Sequence, residues 1–264
     1  LGSMETVTLD LPSALLAILA SATGVTVTII GDLNLGTATL RIVASSIVVT
    51  GRTIGAGAIE LLAGATGDSI AEVLVTGSTL TADTITLTAT AAADEASASV
   101  VVDGSDLTAD SIELKATSTA TPASAAFVSA SSSASVAVIG ASTLTATAGA
   151  ISIASSSTAT VDVESAPTGL TGDTGVDAAI AIVDVESIAS TLVGEQTELA
   201  ATGAITISAT SLADVTVVAD ASGINAGGAI ATGDVVAAAT TAVITDGAIT
   251  SGGDLDVTAE AVID

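Results

Sequence analysis

The sequence predicts an all-β fold in which short strands stack as the coils of a parallel β-solenoid. Apolar and polar residues alternate with the period of two that is typical of strands. One phrase recurs along the chain, in which an apolar residue is followed by a step of several residues and then by alternating apolar positions. The apolar residues are almost all Ala, Val, Ile and Leu, with one Phe and no Trp or Tyr in 264 residues. This composition suits a thin repetitive core, because wide globular cores normally contain aromatic rings.

The recurring phrase has four close copies and three looser ones. The close copies start 19, 26 and 27 residues apart, and the later spacings roughly double. We interpret the wider spacings as coils that have drifted in sequence, so that coils of about 24 residues would give roughly ten or eleven layers and a rod on the order of 50 Å. The copies are Leu35…Leu40-x-Ile42-x-Ala44, Ile54…Ile59-x-Leu61-x-Ala63, Leu80…Ile85-x-Leu87-x-Ala89, Leu107…Ile112-x-Leu114-x-Ala116, Leu144…Ile151-x-Ile153, Leu199…Ile205-x-Ile207-x-Ala209 and Ile249…Leu255-x-Val257-x-Ala259.

Two other architectures fit the pattern less well. Helical repeats are disfavoured because Thr, Val, Ile, Ser and Gly are weak helix formers and the period is not 3.6. A β-sandwich is the structural rival, but it requires hairpin turns and does not normally repeat coils of near-constant length.

The chain divides into three segments. Residues 1–4 have the sequence of a cloning remnant, and residues 5–30 are predicted to form an N-terminal cap. Within the cap, Pro12 precedes an apolar run, which predicts a short helix over the first coil; an ordinary strand-to-coil connection is the alternative. Residues 31–264 are predicted to form the repeat array, and we expect it to be truncated at its C-terminus because the pattern is still running there.

The charge and the missing residue types exclude several functions. Only Arg41, Arg52 and Lys115 oppose 29 acidic residues, giving a net charge of −26, so nucleic acid is excluded as a partner. No apolar run approaches the length that spans a bilayer, so membrane insertion is not expected. The chain has no His and no Cys, which removes the usual zinc ligands and the usual nucleophile–base pairs. We therefore expect no enzyme activity and no required cofactor.

The sharpest site hypothesis is a ladder of carboxylates. Asp162 and Glu164 lie two residues apart in a sequence that recurs 22 residues later around Asp184 and Glu186. If the second copy were stacked on the first, four carboxylates would converge and Ca²⁺ would relieve their repulsion. Stacking of Asp83 with Asp110 is a weaker version of the same idea. The alternative is that all these acids are solvated and bind no ion.

A row of threonines suggests a second alternative, which is ice binding. Thr84, Thr86, Thr88 and Thr90 alternate along one predicted strand and would share its outer face. The coil aligned with it offers Glu113, Lys115 and Thr117, which interrupts the array.

The single aromatic residue, Phe127, lies in an Ala/Ser-rich stretch. We expect it to plug an irregular coil or loop.

Two phrases resemble the repeats of filamentous-haemagglutinin-like large bacterial adhesins. They are Ser251-Gly252-Gly253-Asp254-Leu255-Asp256-Val257-Thr258-Ala259 and Gly203-Ala204-Ile205-Thr206-Ile207-Ser208-Ala209. The resemblance implies a right-handed parallel β-helix, secretion to the cell surface, and a role in adhesion or biofilm, for which the stacked coils suggest a rigid stalk. It also implies as partners the neighbouring repeats of one parent chain and host or cell-surface components. The chain departs from this family in its scarcity of Asn and its acidity, and no functional residue transfers.

Overall fold

The computed structural model describes residues 6–7, 17–19, 24–66, 70–122, 127–165, 177–220, 226–244 and 246–264. These residues form strands and turns, and none of them is helical. Twenty-three strands lie in three sheets, and every strand pair is parallel. The all-β parallel solenoid predicted from the sequence is therefore confirmed.

We number the sheets in the order in which each coil visits them. Sheet 1 contains β1 (Thr6–Val7), β3 (Thr26–Ile29), β6 (Ser46–Thr50), β9 (Ile70–Thr76), β12 (Glu95–Asp103), β15 (Phe127–Ile139), β18 (Asp177–Val193) and β21 (Ala226–Val243). Sheet 2 contains β4 (Leu33–Asn34), β7 (Thr53–Gly55), β10 (Thr79–Thr81), β13 (Asp106–Ala109), β16 (Thr143–Ala146), β19 (Glu198–Ala201) and β22 (Ile249–Ser251). Sheet 3 contains β2 (Ala17–Leu19), β5 (Thr39–Ala44), β8 (Ala58–Thr66), β11 (Thr84–Ala93), β14 (Ser111–Ala120), β17 (Ile151–Ser165), β20 (Ile205–Ala219) and β23 (Leu255–Ile263).

The recurring phrase of the sequence is the inward face of sheets 2 and 3. In sheet 3 the middle apolar position stacks in one continuous column, and each member between Ile42 and Ile207 is fully buried. The first apolar residue of each copy forms the column of sheet 2, with one difference. Ile54 pairs with Leu33, and Leu35 is only partly buried. The column of sheet 3 is Ile42, Leu61, Leu87, Leu114, Ile153, Ile207 and Val257.

The later coils are long, and this corrects the predicted coil count. Leu114 pairs directly with Ile153, and Ile153 pairs directly with Ile207. No drifted coil lies between them, so the described residues contain seven complete coils, from β3–β4–β5 to β21–β22–β23. At one rung of about 4.8 Å each, they extend roughly 35 Å along the axis, which is less than the predicted rod.

The extra residues widen two of the sheets. Strands of sheet 1 grow from 4 residues in β3 to 18 in β21, and strands of sheet 3 reach 15 residues in β17 and β20. The described strands of sheet 2 never exceed 4 residues. Sheets 1 and 3 therefore extend beyond the three-sided tube as two facing layers, which we call the flange: residues 118–120, 127–132, 157–165, 177–187, 211–219 and 226–237.

The flange has its own apolar core. Val161 and Val163 of sheet 3 are buried in one cluster with Val183 and Val185 of sheet 1, apart from the larger cluster inside the tube. Alternation explains the arrangement, because every second residue of each long strand faces the opposite layer. The flange is therefore a two-layered extension of the solenoid.

At the N-terminal end, the predicted helix is wrong over Ala17–Leu19. These residues form β2, which pairs in parallel with Arg41–Val43 of β5. An edge strand has unpaired backbone groups, and pairing them outweighs a local preference for helix. The rest of the predicted helix and residues 1–4 lie outside the described residues. The repeat array begins before residue 31, because β3 already belongs to sheet 1.

Candidate functional site

The structure does not stack the two acidic sequence copies on each other. Asp162 and Glu164 lie in β17 of sheet 3, whereas Asp184 and Glu186 lie in β18 of sheet 1. All four side chains are exposed on the outer faces of the flange, with its core between the two pairs. The predicted stacking is therefore wrong. The 22-residue interval is not one coil but the path from one layer of the flange to the other.

The true register neighbours of these acids differ between the two layers. In sheet 3, Asp162 pairs with Thr216 and Glu164 with Val218. In sheet 1, Asp184 pairs with Ser129 on one side and with Asp234 on the other. Within the described ranges, no group of three or more acidic residues is placed to hold a metal ion. Calcium binding by Asp162, Glu164, Asp184 and Glu186 stays a prediction.

The weaker acidic pair, Asp83 and Asp110, does lie on adjacent coils. The backbone N–H of Asp110 donates to the carbonyl oxygen of Asp83 at 2.9 Å. The Asp110 carboxylate also accepts a hydrogen bond of 2.7 Å from the hydroxyl of Thr147. The partner of this carboxylate is thus a side chain of the next coil, which gives it a structural role at the corner between sheets 2 and 3.

The threonine row has the register that the sequence predicts. Thr86, Thr88 and Thr90 of β11 pair with Glu113, Lys115 and Thr117 of β14. On the other side the same threonines pair with Glu60, Leu62 and Gly64. Both neighbouring coils therefore interrupt the hydroxyl array with charged, apolar or missing side chains.

Phe127 does not plug the interior, so this expectation is wrong. It is the first residue of β15, and 68% of its surface is exposed on the outer face of sheet 1. Inward positions of the flange hold small or β-branched residues, such as its neighbour Val128. The alternation of the strand therefore directs the ring of Phe127 outward.

The polar feature that sequence reasoning missed is a chain of buried serines. It runs along the boundary between the tube and the flange and crosses from one layer to the other at each step. Successive hydroxyl oxygens are all 2.9 Å apart, and each donates to the next until the last donates to the carbonyl oxygen of Ala96. In donating order the chain is Ser211, Ser187, Ser157, Ser132 and Ser118, all buried.

Small side chains make this boundary possible. Serine allows the two layers to approach closely, and each hydroxyl has a partner across the gap, so none is left unsatisfied. The sequence signal is a serine at an inward position of an alternating strand: Ser118 pairs in register with Ser157, and Ser157 with Ser211. We call these five residues the serine ladder.

Removing the central hydroxyl should destabilise the fold. We expect Ser157→Ala to lower the free energy of unfolding by about 2 kcal/mol, because Ser187 would lose its acceptor and Ser132 its donor in a buried site. Urea unfolding measures the change. Ser156→Ala is the matched control, since Ser156 lies next to it on the outer face and should change stability by less than about 0.5 kcal/mol. Equal effects of the two substitutions would contradict a structural role for the ladder.

A second series of serines orders the corner between sheets 1 and 2. The Ser78 hydroxyl accepts a hydrogen bond from the backbone of Arg52, and the Ser105 hydroxyl accepts one from the backbone of Ser78, both at 3.1 Å. Each of these serines follows a glycine with positive φ, Gly77 and Gly104, which turns the chain at low steric cost. A Gly-Ser pair just after a strand is thus a sequence signal for this corner.

A shallow depression lies on the outer face of sheet 1. It is lined by Ile70, Glu95, Ser97 and Ser131, among others. Among the described residues that line it, Glu95 is the one ionisable group.

These features define the chain as a parallel β-solenoid whose polar sites are structural ladders and outer-face acids. Within the described part of the chain, no helix has the length and apolarity that crossing a membrane would require. No protein-family model, no curated protein and no solved structure matches the chain.

Proposed function

We propose that the chain is a non-enzymatic structural module of a large secreted or cell-surface bacterial repeat protein, where it acts as a rigid stalk in adhesion or biofilm. The secreted location and the adhesive context come from the resemblance of its repeats to those of filamentous-haemagglutinin-like adhesins. Its partners would be neighbouring repeats of the same parent chain and components of a host or cell surface.

The observation that carries this proposal is the continuity of the stacking. Apolar columns, backbone pairing and the two series of buried serines all run parallel to one axis, from coil to coil. Between the coil of β7 and the coil of β20, neighbouring coils are therefore linked by three independent sets of contacts. Such an assembly resists bending, because tilting one coil would break all three sets at once.

Distance measurements between spin labels would test the rigidity. The chain has no cysteine, so Thr86→Cys with Asp256→Cys places two labels without further changes. Both residues lie in one outer column of sheet 3, four rungs apart, which is about 19 Å between their Cα atoms. A rigid stalk gives a single narrow distance distribution. A broad or bimodal distribution would contradict the proposal.

Thermal unfolding with and without a chelator separates the stalk from a calcium-dependent adhesin. For a stalk held by apolar stacking and serine hydrogen bonds, we expect the same melting temperature in excess chelator and in millimolar Ca²⁺. A site that binds Ca²⁺ in the folded state alone would raise the melting temperature as Ca²⁺ is added. In that case Asp184→Asn combined with substitution of its register neighbour, Asp234→Asn, should be compared with Asp162→Asn.

A further inference from the structure

The outer face of sheet 1 has an apolar patch where the flange is widest. It consists of Phe127, Ile180, Ile182 and Ile230, which are 68%, 39%, 36% and 58% exposed. We call these four residues the flange patch. They lie on three neighbouring strands, because Phe127 pairs with Ile182 and Ile180 pairs with Ile230. The patch contains the one aromatic ring of the chain.

The register explains why this is one surface. Ile180 and Ile230 form one row across the strands, and Phe127 and Ile182 form the next row. Rows on one face of a sheet are about 7 Å apart and adjacent strands about 4.8 Å apart. The four side chains therefore cover one contiguous area of the outer face. They do not contribute to the core of the flange, because the inward positions of β18 are filled by Ala179, Ala181 and Val183.

Carboxylates lie immediately beside the patch. The next row along the strands contains Asp184 and Asp234, which are register neighbours, and the row after it contains Glu186. All three residues are exposed. Along β18 the outer face therefore has two apolar rows followed by two acidic rows, at steps of about 7 Å.

We propose that the flange patch binds an extended, basic polypeptide segment of a partner protein, with apolar side chains over Ile180 and Ile182 and Lys or Arg over Asp184 and Glu186. Every second residue of an extended segment is on one face at the same 7 Å step. Two apolar residues followed by two basic ones at alternate positions would therefore match the four rows. This binding surface goes beyond the stalk role, and it does not depend on that role.

Charge decides between a basic partner and the other occupants of an apolar surface. A second copy of the chain would bring its own Asp184 and Asp234 to the interface and carries a net charge of −26. Like charges brought together in this way oppose association. A membrane surface with anionic headgroups is repelled for the same reason. A basic segment gains from both the apolar rows and the acidic rows.

The test uses a synthetic peptide in which Thr alternates with Val, Val, Lys and Lys in that order. Isothermal titration calorimetry measures its affinity for the intact chain. Phe127→Trp supplies the single tryptophan of the protein, and its emission should shift to shorter wavelength when the peptide covers the patch. We expect Ile182→Ser to weaken binding at least tenfold. We expect Asp184→Asn with Asp234→Asn to weaken it about tenfold at low salt and to reduce its salt dependence.

The other layer of the flange provides matched controls. Val218 is 43% exposed on the outer face of sheet 3 and pairs with Glu164. An exposed apolar residue therefore lies beside an acidic residue here as well, but outside the flange patch. Val218→Ser and Asp162→Asn should leave the affinity within twofold. If these controls weakened peptide binding as much as the patch substitutions do, the peptide would be held by the overall charge and not by the flange patch, and the proposal would be wrong. Equal binding of a peptide with Glu in place of Lys would overturn it as well.

Two further outcomes would assign the patch to another occupant. An emission shift of Phe127→Trp that depends on protein concentration, without peptide, would indicate self-association. A shift with anionic phospholipid vesicles, without peptide, would indicate a membrane. Either result, in the absence of a shift with the peptide, contradicts the proposal. Melting curves of Ile182→Ser should match those of the unsubstituted chain, because the side chain lies outside the core.

Discussion

Leu114→Asp is expected to lower the free energy of unfolding by more than about 4 kcal/mol and to abolish cooperative folding of the central coils. Leu114 is fully buried, and its register neighbours are Leu87 and Ile153, which are also fully buried. A carboxylate at this position would face apolar side chains on the coils before and after it and would have no partner for its charge. Urea unfolding followed by circular dichroism measures the loss.

The same strand supplies the control for this prediction. Thr117 is three residues further along β14 but on its outer face, so Thr117→Asp adds the same charged group where water solvates it. We expect it to change stability by less than about 0.5 kcal/mol. Leu114→Ala, which creates a cavity without a charge, should fall between the two, at about 3 kcal/mol. If Thr117→Asp were as damaging as Leu114→Asp, net charge and not the apolar column would govern stability.

The sequence allowed the tube to be predicted because its columns repeat one pattern. Leu40, Ile59, Ile85 and Ile112 were aligned from spacing alone, and the structure pairs them in that register. Period-two alternation and β-branched side chains carried this information locally.

The length of a coil could not be predicted in the same way. Nothing between Leu144 and Leu199 distinguishes a second short coil from two long strands, because both alternate with the same period. The structure shows these two leucines to be direct neighbours in sheet 2. The excess residues extend β17 and β18 into the flange. Whether a segment forms a second coil or a longer strand depends on which distant strands it pairs with.

The predicted stacking of the two acidic copies is wrong for the same reason. The similarity around Val161 and Val183 is real, but it reflects two layers that line one core from opposite sides. Asp162 and Asp184 therefore point away from each other. The flange patch could not be predicted, because a single aromatic residue is expected to lie in the interior. The alternation of β15 instead places Phe127 on the outer face.

Gly57→Ala and Gly64→Ala are expected to change stability in opposite directions although both replace a glycine near or in β8. A Cβ at Gly57 would lie only 2.7 Å from the carbonyl carbon of Thr37 on the preceding coil, and closer still to its oxygen. The backbone N–H of Gly57 also donates to the carbonyl oxygen of Ala38 at 2.8 Å, so the two coils cannot separate without breaking a ladder bond.

Because the clash at Gly57 is with backbone, a rotamer change cannot relieve it. We expect Gly57→Ala to lower the free energy of unfolding by about 3 kcal/mol. Gly64 has no atom within 4 Å of its Cβ position and lies on the outer face of β8. Alanine there should raise stability by about 0.5 kcal/mol, since glycine loses more conformational entropy on folding. Thermal and urea unfolding of both variants measure the sign of each change in stability. If both variants were destabilised, the close approach of neighbouring coils would not be confined to Gly57, and the prediction would be wrong.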